Sequence, residues 1–130
     1  MLIGEPGKDE SYPLVSVEDF FEGDDDLGSI GCNLFEHPGI AEFYDTFRKI
    51  KSRKDVFDVL LQITEIEPQT KGIWPFCDHV FIITSNSIYN TWALVKHLQP
   101  TDVFLWQDTY KLANMPTIPK SYQVITVWWD

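Results

Sequence analysis

No stretch of this sequence stays apolar for long. The longest unbroken runs, Val80 to Ile83 and Val103 to Trp106 among them, are four residues, against the ~18 that a membrane-spanning helix requires. Cysteine is equally scarce: Cys32 and Cys77 are the two thiols, too few for the disulfide framework of a small secreted domain, so reduced cysteines are expected. The opening residues Met1 to Pro6 offer neither the basic start nor the continuous apolar stretch of a secretory signal. The expected compartment is the cytoplasm. Positive charge is also short, with ten Lys and Arg against twenty Asp and Glu and a formal charge of -10. Such a chain repels nucleic acid and anionic lipid surfaces, so neither is expected as a partner. It attracts basic proteins, although solubility alone also accounts for an acidic composition.

What is present suffices for one folded domain. Over 130 residues, 44% are hydrophobic and 15% aromatic, enough to build a single core without disulfide or metal staples. Residues 1 to 13 combine Gly4, Pro6, Gly7 and Pro13 with several charges and read as a flexible leader. Residues 14 to 130 read as a single α+β domain.

Within it, Leu14 to Phe21 alternates in part and is expected as the first strand. A Gly- and Asp-rich loop over residues 22 to 39 follows, ending where Pro38 suits a helix start. Ile40, Phe43, Tyr44, Phe47 and Ile50 then fall on one helical stripe, and Arg48, Lys49, Lys51, Arg53 and Lys54 crowd its exit. Phe57, Val59, Leu61 and Ile63 recur at strand period between Asp55 and Ile66, with Val56, Leu60 and Ile66 on the opposite face. A loop over residues 67 to 78 leads to a strand at His79 to Thr84. Ser85 or Ser87 caps a second helix that turns Ile88, Trp92 and Val95 to one face and stops before Pro100. Thr101 to Trp106 and Tyr122 to Trp129 are the last strands.

This order predicts a two-layer α+β sandwich with a mainly antiparallel sheet, of ferredoxin-like βαββαβ type with an additional C-terminal strand. In that topology strands one and two run parallel, and loops 22 to 39 and 67 to 78 are neighbours at one end. The second sheet face needs an apolar cover. Either a second copy of the chain, giving a homodimer, or a partner protein supplies it, or else residues 1 to 13 or 107 to 121 do.

Candidate sites are few. Glu18, Asp19, Glu22, Asp24, Asp25 and Asp26 form an acidic string, but its spacing does not make a calcium loop: Ser29 stands where Gly is required and Phe35 where a bidentate Glu is. Gly23, Gly28 and Gly31 match no phosphate-binding pattern. Cys32, His37, Cys77 and His79 would form a Cys2His2 set if they converged, yet their spacings fit no zinc-binding pattern. Cys77 and His79 can share a strand face as nucleophile and base, without an orienting motif around them. Neither a metal nor a cofactor is expected. Trp74, Pro75 and Phe76 make an aromatic loop tip, either a plug on the core or a recognition element.

The strings Val17-Glu18-Asp19-Phe20-Phe21, Asp25-Asp26-Leu27-Gly28-Ser29-Ile30-Gly31-Cys32-Asn33 and the closing Trp128-Trp129-Asp130 resemble a family of small uncharacterised bacterial proteins. That resemblance implies no activity and no catalytic residues. In size and charge the chain also resembles toxin-immunity proteins.

The expectation is a non-enzymatic interaction domain that meets a basic protein through Glu18, Asp19, Glu22, Asp24, Asp25, Asp26, Trp74 and Phe76. The alternative is a small-ligand or metal-binding enzyme with a pocket between the two loops, using Asp24, Asp25, Asp26, Cys77 and His79.

Overall fold

The computed structural model describes residues 14–22, 29–31, 34, 36–65, 76–106 and 116–129. The leader and the 107–115 stretch lie outside them. The elements run β1 (Leu14–Ser16), α1 (Val17–Phe21), α2 (Ile40–Lys51), β2 (Val56–Glu65), β3 (Phe76–Thr84), α3 (Ile88–Val95), β4 (Asp102–Trp106) and β5 (Gln123–Trp128). The strands form one five-stranded sheet in the order β1-β2-β3-β5-β4, with every neighbouring pair antiparallel. Its helix-covered face carries the larger core, so the architecture is the expected two-layer α+β sandwich.

The strand order departs from the ferredoxin-like one. β1 lies beside β2 and antiparallel to it, with Leu14 opposite Gln62 and Ser16 opposite Leu60. The cause is a helix that strand periodicity hid. Ser16 ends β1 and caps α1, its hydroxyl accepting the Asp19 N–H at 3.0 Å. α1 then runs against α2, since Lys51 at the end of α2 bonds Glu18 at the start of α1 while Phe21 stacks on Tyr44. Two opposed helices return the chain to the end it left, where a single crossover helix would have delivered it to the other. A split βαβ unit does occur later: β3 and β4 are parallel, joined through α3, and β5 lies between them.

Core assignments follow the sequence pattern except at a bulge in β2 and at Trp92 of α3. Ile40, Phe43, Phe47 and Ile50 of α2 are buried against Val59, Leu61 and Ile63 of β2. A register shift between Val56 and Asp58 turns Val56 into this core and leaves Phe57 49% exposed, reversing the expected faces of those two residues. Phe57 meets Tyr122 edge-on instead. On α3 Val95 is buried as expected, but Trp92, expected beside it, is 48% exposed and Thr91 is buried in its place. The adjacent Trp128 and Trp129 part as strand geometry requires: Trp128 stacks on His79, and Trp129 enters the helix-side core.

On the second face Leu14, Leu60, Phe81, Ile83 and Val124 are buried within the single chain, with Trp106, Ile118 and Tyr122 packed against them.

Candidate functional site

Ile30 bridges Cys77 in parallel fashion, and the Cys77 N–H donates to the Ser29 carbonyl at 2.8 Å. The segment that follows the acidic string therefore lies against the start of β3. His37 fastens the same loop. Its Nδ1 accepts the Gly39 N–H at 2.9 Å, so Nε2 carries the proton and donates to the Ile30 carbonyl at 2.8 Å.

Of the eight residues expected to bind a partner, Asp24, Asp25, Asp26 and Trp74 lie outside the described residues, as does the side chain of Phe76. Asp19 and Glu22 are exposed. Glu18 is occupied by Lys51 at 2.8 Å, and the Lys51 ammonium holds its carboxyl below the usual carboxylate range. The basic exit of α2 is neutralised in the same way. Asp45 takes Arg48 and Lys49, and Asp55 takes Arg53, each pairing lowering the carboxyl pKa from its ordinary value. Arg48, Lys49, Lys51 and Arg53 are thus paired within the chain.

The Cys77 and His79 pairing is corrected by a second bulge. Ile63 pairs with Cys77 and Gln62 with His79, so Asp78 is an extra residue on β3 and the two side chains face opposite sides of the sheet. Cys77 lies fully buried in the helix-side core. Burial, reinforced by the Asp78 carboxylate, pushes its thiol far above the ordinary value, and Sγ donates to the His79 carbonyl. His79 instead meets Asp78 across 2.7 Å, and its ring lies near-parallel to those of Phe81 and Trp128, with centroids 6.3 and 6.2 Å away. Cys32 lies outside the described residues, and both ring nitrogens of His37 are spent on backbone groups. Among the described residues no three metal-ligating side chains cluster.

A feature not anticipated from the sequence is an open groove of about 370 Å³ between α3 and the start of β4. Ile88, Tyr89 and Trp92 form its helix wall, and Pro100 to Val103 its other wall. Tyr89 is 82% exposed. Helical spacing gives no signal for it: Ile88, Thr91, Trp92 and Val95 fall on one stripe at i, i+3, i+4 and i+7, of which only Thr91 and Val95 are buried.

Fold and site together define a small α+β domain with a buried cysteine, Cys77, and an open aromatic groove. The chain belongs to the Uncharacterized protein YfbO family, whose sequence model matches residues 2–127. It is 31% identical over 124 residues to the Uncharacterized protein YfbO of Escherichia coli strain K12, covering 94% of this chain and 86% of that protein. No solved structure matches it.

Proposed function

We propose that this chain is a non-enzymatic interaction domain of immunity-protein type, binding a basic protein through the acidic string of residues 18–26 together with Trp74 and Phe76. The observation that supports this reading is the Ser29–Cys77 hydrogen bond of 2.8 Å, which ties the sequence flanking the acidic string to the start of β3. The formal charge of -10 adds to it, and Arg48, Lys49, Lys51 and Arg53 are paired within the chain, which leaves them less able to repel a basic partner. An enzyme built on Cys77 and His79 has less support, since a nucleophile and its base must meet and these two lie on opposite faces. Phe81 and Ile83 of the second sheet face are buried within one chain, so a homodimer through that face would rest on other residues of it.

The test is calorimetric titration with the basic products of adjacent genes. The proposal expects a stoichiometric complex at low salt that weakens by about tenfold when Asp24, Asp25 and Asp26 are all changed to Asn. No complex with any of them at low salt, or one indifferent to the three substitutions, overturns it.

A further inference from the structure

The groove between α3 and β4 has no part in the reading above. Among the described residues that line it, the Asp102 carboxylate is the single charged side chain. That carboxylate is held in place: Oδ1 accepts the Val103 N–H at 2.8 Å, leaving the second oxygen for another donor. Two aromatic side chains share the groove, Tyr89 at 82% and Trp92 at 48% exposure. Lys96 Nζ stands 5.4 Å from the Trp92 ring centroid, so the ring accepts a cation, and an incoming one must displace this ammonium from it or take another part of the ring. Exposed aromatic faces beside a fixed carboxylate, above the apolar Ile88 and Val103, are the chemistry that recognises an organic cation.

The source of the cation follows from how open the groove is. With Tyr89 so exposed, a free amine would remain half in water, whereas a side chain carried on a docked protein brings its own cover. Leu105, two residues beyond Val103 and 42% exposed, extends the apolar surface on the same sheet face for that cover.

We propose that this groove receives an arginine or lysine side chain of a protein partner, held between the Tyr89 and Trp92 rings and the Asp102 carboxylate. The proposal goes beyond the acidic-end reading and shares none of its residues.

The test is a heteronuclear NMR titration of the whole chain with a blocked Gly-Gly-Arg-Gly-Gly peptide. Its Gln counterpart serves as the neutral arm and agmatine as the free-amine arm. The expected result is saturable shifts of the Trp92 indole and Val103 amide with the Arg peptide, weaker shifts with agmatine and none with the Gln peptide. Trp92→Leu and Asp102→Asn should each weaken binding by about tenfold. Asp102 is exposed, so its variant keeps the test open if Trp92→Leu folds poorly. Equal shifts from the Gln peptide, agmatine binding as tightly as the peptide, or indifference to Asp102→Asn overturns the proposal. Retention of the shifts in the Asp24, Asp25, Asp26 triple-Asn variant separates its fate from that of the acidic-end reading.

Discussion

The indole N–H of Trp129 donates to the carbonyl oxygen of Leu98 across 2.9 Å inside the core. The same ring meets Phe43 and Phe47 of α2 at steep angles, and the Trp129 backbone N–H donates to the Asp78 carbonyl at 3.0 Å. One residue after the last strand therefore joins α2, the turn that follows α3, and β3.

Replacing Trp129 by Phe removes volume from a site only 2% exposed and leaves the Leu98 carbonyl without its donor. The expected cost is about 2–3 kcal/mol, rising to about 3–5 kcal/mol for Trp129→Ala. Urea unfolding measures it. A midpoint unchanged in Trp129→Phe would mean that the ring is not a structural pin.

Gly31 adopts φ +65°, and a Cβ there would lie 2.9 Å from Cζ of Phe43 and 3.1 Å from Cδ1 of Leu34. Phe43 is fully buried and cannot retreat. Gly31→Ala should destabilise the chain by about 1–3 kcal/mol through backbone strain and overpacking together. Because Gly31 adjoins the Ile30–Cys77 bridge, the Cys77 amide should also exchange faster with solvent than in the parent. Unaltered stability and exchange would show that the loop relaxes at no cost.

Periodicity made the layers legible, and the exceptions have local causes. The stripe Ile40, Phe43, Phe47 and Ile50 is the buried face of α2, and Val59, Leu61 and Ile63 are buried as their spacing required. α1 was hidden because Val15, Val17 and Phe21 also fit a strand, although Ser16 with Asp19 three residues on is a helix-start signature. Missing that one helix reversed the expected sense of β1 against β2. The bulges at Val56/Asp58 and at Asp78 leave no mark in composition, yet they decide which faces Phe57 and His79 occupy. The groove was illegible for a different reason: it exists only because α3 and β4, joined through a turn, leave a gap between them.

The Glu18–Lys51 pair fastens α1 to α2 at 2.8 Å, with Asp58 a more distant second partner at 3.8 Å. Its hydrogen bond lowers the Glu18 pKa and raises that of Lys51. The Glu18 contribution is therefore complete above the ordinary carboxylate value and is lost as pH falls through the depressed folded value. The Lys51 contribution persists until pH rises through its elevated one. Both groups are substantially solvated, so Lys51→Met should cost only about 0.5–1 kcal/mol near neutrality. Thermal midpoints across the acid range provide the check. The variant should approach the parent as pH falls through the carboxylate range, and a constant gap between the two curves would rule the pair out as its cause.

Cys77 gives the most direct discrimination between an inert domain and a thiol enzyme. A catalytic thiol must form thiolate at a surface, but this one is fully buried and its pKa is pushed up by burial and by the nearby Asp78 charge. In a Cys32→Ser background, native protein should resist iodoacetamide over a period in which the urea-unfolded chain reacts completely. Residual reaction should follow the rate or population of opening, so the destabilising Gly31→Ala substitution should accelerate it. Raising the pH toward about 9 should leave the native rate without the inflection that an ordinary thiol shows near its pKa of about 8.5. An inflection there would place a thiolate within reach of solvent, and would return Cys77 to consideration as a nucleophile.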